Sequence, residues 1–298
     1  MTTVLDRPRV RPVAPAATPR RYGERPSIAY LFLSPWVLGA LLLTLGPMAA
    51  SLYLSFTDYD LFTAPEWVGL DNYVRALTVD PHFWNSVWAT TKYVLVAVPV
   101  QMAAALAVAM LINRRSRAQG VYRSAFYAPS LLGASVSVAV VWRVIFHDWI
   151  GDPDRALTAL VLLAVWQFGA PMVIFLAGLQ QIPPEYYDAA AVDGAGPWRT
   201  FRSITVPMLS PVIFFNLVID TIRAFQVFTA AYVVSNGTGG PSDSTLFYTL
   251  YLYEKGFVEF KMGYASAMGW MLLIAVAAVT ALLFRTARSW VFYSGDES

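Results

Sequence analysis

The chain has 298 residues, of which 57% are hydrophobic and only 13% are charged, and its formal net charge is +2. Soluble globular domains contain about 25% charged residues, so this composition excludes a water-exposed surface and predicts an integral membrane protein. The absence of cysteine excludes disulfides and thiolate metal sites, and with only two histidines no metal site is expected.

The predicted elements begin with an amino-terminal tail at residues 1–27 that is rich in proline, alanine and arginine. It has no hydrophobic periodicity and cannot bury enough apolar surface to fold, so we predict a disordered cytoplasmic tail. Its arginines are interpreted as a charge cluster that sets the topology, with contact to anionic lipid headgroups as the alternative.

Six stretches are long and apolar enough to cross a bilayer, which requires about 20 residues of helix. They lie at 28–56, 87–112, 121–146, 157–180, 209–235 and 265–287. The first is too long for the apolar region of a signal peptide and no cleavage pattern follows it, so we expect a retained helix. The prediction is an all-α integral membrane protein with six transmembrane helices over residues 28–287, a loop at 181–208 and a tail at 288–298.

Basic residues are distributed unequally between the two sides of these spans. Fourteen lie in the two tails and in the loops at 113–123 and 181–208: Arg7, Arg9, Arg11, Arg20, Arg21, Arg25, Arg114, Arg115, Arg117, Arg123, Arg199, Arg202, Arg285 and Arg288. The alternate segments hold four: Arg75, Arg155, Lys255 and Lys261. Because positive charge accumulates on the cytoplasmic side, both termini and the 181–208 loop are predicted to be cytoplasmic.

The loop between the fourth and fifth spans interrupts the apolar pattern with charges, glycines and prolines. Pro183-Pro184 and Glu185 predict a helix start, since proline suits the first turn and a carboxylate favours the positive helix end. Three alanines follow, and Asp193-Gly194 predict the helix end, because glycine accepts the left-handed conformation that is common there.

A second short helix is predicted to start at Pro197, before Pro207 returns the chain to the membrane. The two pieces together form a cytoplasmic helix-turn-helix. Its alanine-rich first helix is a poor lipid anchor and a suitable element for the groove of another protein.

This loop resembles the "EAA" loop of permease subunits of binding-protein-dependent ABC importers. The family pattern is E-A-A, three residues, Gly, nine residues, Ile, one residue, Leu-Pro. The matching positions are Asp188, Ala189, Ala190, Gly194, Ile204 and Pro207. Asp188 replaces the usual glutamate and Val206 the usual leucine. The resemblance covers nearly the whole chain and is strongest to the carbohydrate-type importers. One region departs from the family pattern: the loop at 147–156 is shorter than usual, and it is either naturally trimmed or incomplete in this sequence.

The resemblance implies a coupling helix that docks into a cytoplasmic ATPase subunit. The residues implied are Asp188, Ala189, Ala190, Asp193, Gly194, Ile204 and Pro207. It also implies a second permease subunit, two ATP-binding subunits and an extracytoplasmic solute-binding lipoprotein, with no nucleic acid. The sequence has no G-x-x-x-x-G-K-[ST] phosphate loop, so ATP and Mg are expected on partner subunits, and neither a cofactor nor enzymatic activity is expected here. An ordinary linker helix is the alternative.

The fifth span carries the strongest candidate for a solute path. Asn216, Asp220 and Arg223 are spaced for one helix face, and Gln226 extends the stripe. Ionisable residues inside spans are costly and indicate function, and a polyhydroxy solute needs such donors and acceptors. The alternative is an internal Asp220–Arg223 pair with packing against a second permease.

Gln101 and Gln167 are expected to bond a neighbouring helix, with a place on the path as the alternative. The overall prediction is the transmembrane subunit of an ATP-driven importer in a bacterial cytoplasmic membrane. It would move a sugar or sugar-like solute by alternating access; trehalose, maltose-like sugars, glycerol phosphate and other polyols are compatible. The main alternative is a stand-alone secondary transporter that uses Asp220 and Arg223, although no inverted repeat is visible.

Overall fold

The computed structural model describes residues 26–113, 119–132 and 135–292. The expectations for residues 1–25, for Arg114, Arg115 and Arg117, and for residues 293–298 lie outside the described residues. The chain divides into two compact units, residues 1–49 and 50–298.

The described residues are mostly helical. The α-helices are α1 Pro26–Gly39, α2 Gly46–Leu54, α3 Asp71–Thr78, α4 Pro81–Ile112, α5 Gln119–Leu132, α6 Val136–Ile145, α7 His147–Ile150, α8 Pro153–Trp166, α9 Gly169–Gln181, α10 Pro184–Val192, α11 Pro197–Thr200, α12 Val206–Phe225, α13 Thr229–Ser235, α14 Tyr248–Tyr253 and α15 Met262–Ala287. Wider π-helical turns occupy Ala40–Leu45, Phe201–Thr205 and Glu254–Val258, and a 3₁₀ turn occupies Pro241–Asp243. Two short strands, β1 Thr57–Asp58 and β2 Glu66–Trp67, pair antiparallel with Thr57 opposite Trp67.

Four continuous helices are long and apolar enough to cross a membrane: Tyr30–Leu54, Pro81–Ile112, Pro197–Phe225 and Met262–Ala287. Two further pairs, α5 with α6 and α8 with α9, would each make one span if counted together, and α8 and α9 meet at an angle of 46°. The chain is therefore mostly helical with four to six membrane-crossing helices, in agreement with the predicted class.

The interior of the larger unit is built around α4, which packs against α8, α9 and α12. Small side chains make this close packing possible, and Ala97, Ala105 and Ala109 on α4 are at most 1% exposed. On α9, a Cβ added at Gly178 would lie only 2.7 Å from Leu209 Cδ1 of α12. α9 and α12 are therefore in direct contact through a glycine.

Gly263 at the start of α15 offers a test of this packing. A Cβ at Gly263 would lie 2.0 Å from the carbonyl oxygen of Thr57, an atom that also accepts a hydrogen bond of 2.9 Å from Asn72 Nδ2. Gly263→Ala should therefore destabilise the protein by about 1–3 kcal/mol, because backbone has to move to admit the methyl group. Thermal unfolding of the detergent-purified protein measures the effect.

The matched control is Gly269→Ala in the same helix, where the added Cβ would meet Leu252 Cδ1 at 3.9 Å and no other atom of the described chain within 4 Å. This variant should unfold at or above the wild-type temperature, since alanine favours helix over glycine. Equal unfolding temperatures for the two variants would contradict the close approach of α15 to β1.

Candidate coupling segment and transport cavity

The first helix predicted for the 181–208 loop is present as α10, and its start and end follow from local sequence. Pro184 occupies the first turn, and Glu185 lies where a negative charge favours the helix start. At the other end Gly194 has φ +71°, its N–H donates to Ala191 O at 3.1 Å, and Ala195 N–H donates to Ala190 O at 2.9 Å. This pair of bonds around a left-handed glycine is the Schellman helix end. The predicted helix end is confirmed.

Most of α10 and the turn after it are exposed. Asp188, Ala189, Asp193 and Gly194 are all exposed, and Ala190 is the buried member of the segment. Nearby apolar side chains are exposed as well, Val192 at 89% and Trp198 at 71%. The segment thus presents acidic, small and apolar groups on one accessible surface.

A hydrogen bond and a continuous helix connect α10 to the membrane region. Tyr187 Oη lies 3.2 Å from Thr205 Oγ1. The predicted start of the second helix at Pro197 is confirmed. Its predicted end before Pro207 is wrong, because the chain from Pro197 to Phe225 is one helix of 29 residues that passes through the π-helical turn. Ile204 and Pro207 therefore lie within this helix and not in a separate piece.

Above this segment, a cavity of about 380 Å³ opens between α4, α5, α6, α8, α9, α12 and α13. The polar residues that line it are Gln101, Ser130, Ser135, Gln167, Asp220, Arg223 and Thr229. Tyr93 and Phe228 contribute aromatic surface to the same wall. A cavity of this size, with a few convergent polar groups among apolar ones, has the usual character of a small-molecule site.

Asp220 is the most unusual residue of this cavity. It is only 6% exposed, and its Oδ2 atom has no hydrogen-bond partner among the residues that the structure describes. Among the described residues it forms no ion pair within 4.0 Å, so the direct Asp220–Arg223 pair that the sequence left open is not made. A buried carboxylate oxygen without a partner is costly, and such groups are characteristic of functional sites.

Only two of the four residues of the predicted stripe, Asp220 and Arg223, lie at the cavity. Asn216 is buried at 2% exposure outside the lining. Its Nδ2 has no hydrogen-bond partner within the described part of the chain. Gln226 is exposed and follows the last residue of α12, because the helix ends at Phe225 and α13 begins only at Thr229. The helix break explains why the spacing rule does not extend to Gln226.

Sequence reasoning placed two glutamines differently from the structure. Gln101 and Gln167, expected mainly as amides bonded to a neighbouring helix, both line the cavity. For Gln101 a signal was available, because Tyr93, Ala97 and Gln101 share one face of α4 at intervals of four residues. For Gln167 there was none, since it lies at the bend between α8 and α9.

Comparison with known proteins identifies the family. Residues 93–289 match the family model described as the inner membrane component of binding-protein-dependent transport systems. The chain belongs to this family. It is 48% identical over 286 residues to the probable ABC transporter permease protein YesP of Bacillus subtilis (strain 168), a match that covers 90% of this chain and 93% of that protein.

Two further matches extend the comparison. This permease is 30% identical over 269 residues to the probable starch degradation products transport system permease protein AmyD of Thermoanaerobacterium thermosulfurigenes, covering 84% of this chain and 91% of that protein. A chain of a bacterial ABC transporter involved in the import of the acidic polysaccharide alginate superposes with a TM-score of 0.73 at 19% identity, covering 89% of this chain and 96% of that chain. The match to the alginate transporter chain shows that the two chains share a fold.

The prediction of an ABC importer permease in the cytoplasmic membrane is therefore confirmed. Proteins of this family are transmembrane components, and nothing in these relatives supports the alternative of a stand-alone secondary transporter.

The permease also has a polar cluster at the amino-terminal end of α4. Asp80 accepts hydrogen bonds from Tyr251 Oη at 2.6 Å and Tyr264 Oη at 2.7 Å, and from the backbone N–H groups of His82 and Phe83. Burial acts to raise the pKa of Asp80, but these hydrogen bonds outweigh it and hold the pKa below the ordinary value of 3.8. Its contribution to stability is therefore present at neutral pH and is lost only as the pH falls below that value.

A small cavity of about 220 Å³ lies beside this cluster. Its wall includes three cationic side chains, Arg75, Lys255 and Lys261. Both lysines contact Glu259, each at 2.5 Å. Arg75 lies over the ring of Tyr264 and, among the described residues, has no carboxylate within 4.0 Å. The charge on this surface is therefore only partly compensated.

Proposed function

We propose that this chain is the membrane subunit of an ATP-driven importer for a sugar or sugar-like solute, and that it works by alternating access. One observation carries the proposal: the exposed helix α10 is bonded to the base of the same continuous helix that supplies Asp220 and Arg223 to the cavity. A mechanical input at α10 thus has a direct route to the solute path.

The route has two contacts and one rigid element. Tyr187 meets Thr205 at 3.2 Å, and α9 touches α12 at Gly178, so α10 and the chain before it hold the base of α12 from two sides. From Thr205 to Asp220 the helix rises by about 20 Å, since each residue adds about 1.5 Å. The proposed ATPase-coupling residues are Asp188, Ala189, Ala190, Asp193 and Gly194 on α10 and its end, and Ile204 and Pro207 at the base of the helix that leads into the fifth span.

We propose six spans with both termini in the cytoplasm. The two bent helix pairs each supply one span, and α10 then lies on the same side as Arg285 and Arg288 at the end of α15. Basic residues near these ends support the orientation, because positive charge favours the cytoplasmic side.

A sugar or sugar-like solute fits the composition of the cavity. Hydroxyl groups need both donors and acceptors, which Gln101, Gln167, Asp220 and Arg223 supply in a space of about 380 Å³. Aromatic surface suits the apolar face of a sugar ring. The relative AmyD is named for starch degradation products, and the structural neighbour imports alginate, which supports the same solute class.

The proposed partners are a second permease subunit, two ATP-binding subunits and an extracytoplasmic solute-binding protein. ATP and Mg would be bound by the ATP-binding subunits. A related alginate transporter has been seen in complex with a pentasaccharide-bound periplasmic protein. The cationic cavity of Arg75, Lys255 and Lys261 lies on the proposed outer face and is the surface that we expect the binding protein to contact.

Reconstitution tests the proposal. The permease, co-expressed with an ATPase, a second permease and a binding protein from its own genome, should accumulate oligosaccharide in liposomes only when ATP and the binding protein are both present. Accumulation by the permease alone on an ion gradient, with no ATP, would overturn the proposal in favour of a secondary transporter.

A further inference from the structure

A groove at the far end of α15 has no part in the coupling segment or the transport cavity. It encloses about 860 Å³, and it is lined by Phe214, Ala281, Phe284, Arg285, Ala287 and Arg288. Phe214 of α12 is buried at its base, and the ring of Phe284 meets it edge-on with centroids 5.0 Å apart. One part of the groove is thus apolar and the other is cationic.

The two arginines of the groove are exposed and lie on one face of the helix. Arg285 lies in the last turn of α15, and Arg288 follows three residues later in helical conformation, so the two share a face. Within residues 26–113, 119–132 and 135–292, neither arginine has a carboxylate within 4.0 Å. The two guanidinium groups can therefore bind an anion that comes from outside the described part of the chain.

The order of these groups along α15 matches the depth profile of one bilayer leaflet. Ala281 and Phe284 lie inside the span, whereas Arg285 and Arg288 lie at its end. Trp290, 40% exposed, packs against Phe214 with centroids 6.0 Å apart, and tryptophan is enriched at the membrane–water interface. Phe292 N–H donates to Ser210 Oγ at 2.8 Å and holds this end of the chain against α12.

We propose that the groove binds an anionic phospholipid of the cytoplasmic leaflet. Its phosphate lies between Arg285 and Arg288, and an acyl chain follows Phe284 and Ala281. Guanidinium groups suit phosphate because their planar donors bind it in pairs, and basic pockets beside transmembrane helices are suited to anionic headgroups. The proposal rests on the cytoplasmic location of the carboxyl terminus under the proposed function.

Native mass spectrometry of the full transporter tests the headgroup preference, with phosphatidylglycerol and phosphatidylcholine as probes. In Arg285→Gln/Arg288→Gln the preference for phosphatidylglycerol should fall by about tenfold, since each basic residue near the surface contributes to it. Arg155→Gln removes an exposed positive charge outside this groove and outside the other sites, and should leave the preference unchanged. An unchanged preference in the groove variant, or no preference in the wild type, would overturn the proposal.

A photo-cross-linker distinguishes a lipid from a protein in the groove. With Phe284→p-benzoylphenylalanine, irradiation should label added phosphatidylglycerol. A dominant cross-link to the ATPase or to the second permease would show that a polypeptide covers the groove and would overturn the lipid site. ATP-driven uptake is measured in the same samples. Normal uptake together with no preference for phosphatidylglycerol would reject the lipid site and leave the proposed transport function intact.

Discussion

Replacing Gly194 with proline should abolish solute-stimulated ATP hydrolysis by the assembled importer while the permease still inserts into the membrane. Gly194 has φ +71°, and its N–H bonds to Ala191 O, whereas proline requires a φ near −65° and has no N–H. No atom of the described residues lies within 4 Å of a Cβ built at this position, so the effect would come from the backbone and not from a clash. The turn after α10 would be redirected, and the exposed surface with it.

A graded series separates this effect from general damage. Gly194→Ala should weaken coupling partially, because the left-handed conformation costs a non-glycine residue about 1–2 kcal/mol. Gly196→Ala is the matched control, because Gly196 has equally open surroundings and a φ of −68° that alanine can adopt. It should leave coupling unchanged, since only the mild preference of the N-cap position of α11 for glycine over alanine is lost. ATPase activity with and without liganded binding protein, and membrane content by immunoblot, are the two measurements.

Charge reversal tests the same surface without disturbing the helix end. Asp188 is exposed, so Asp188→Arg should preserve folding and abolish coupling, whereas Asp188→Glu should preserve both. Normal uptake in Gly194→Pro and Asp188→Arg together would refute a coupling role for α10.

Removing the carboxylate of the cavity should have the second large effect. Asp220→Ala should raise the half-saturation of solute-dependent ATP hydrolysis by about tenfold or more, because a hydrogen bond to a charged group contributes about 1.5–3 kcal/mol. The expectation follows from a carboxylate that is 6% exposed, lines the cavity and has an Oδ2 atom without a partner.

Gln226→Ala serves as the control for this experiment. Gln226 is exposed and is not part of the cavity lining. The half-saturation of solute-dependent ATP hydrolysis in the Gln226→Ala variant should therefore match that of the wild type. Equal impairment in both variants would favour the continuous stripe that helical spacing suggests. An unchanged half-saturation in Asp220→Ala would remove this carboxylate from the path.

The coupling segment was largely predictable because its signals are local. A proline start, three alanines and an Asp-Gly end define α10, and the structure has that helix with Gly194 in the expected left-handed conformation. The membrane class was predictable from composition, and each predicted span overlaps a helix or a bent helix pair. Two bounds differ: α4 starts earlier than predicted, at Pro81, and the fifth spanning helix runs from Pro197 to Phe225 and not from 209 to 235.

The helix that leads into the fifth span was not predictable by the same rules. Prolines normally mark helix boundaries, yet the chain remains helical from Pro197 past Pro207. A π-helical turn at Phe201–Thr205 comes just before Pro207, and contacts to Tyr187 and α9 hold this region. Tertiary packing prevails here over the local preference.

The amino-acid sequence by itself determined the membrane class, the approximate spans and the helix end at Gly194, because burial in lipid and backbone preference depend on residue type and spacing alone. Only the tertiary structure decided that Asp220, Arg223, Gln101 and Gln167 share one cavity while Asn216 and Gln226 lie outside it. The physical reason is that six other helices surround that part of α12, and the positions at which they bend and touch are set by packing between distant segments.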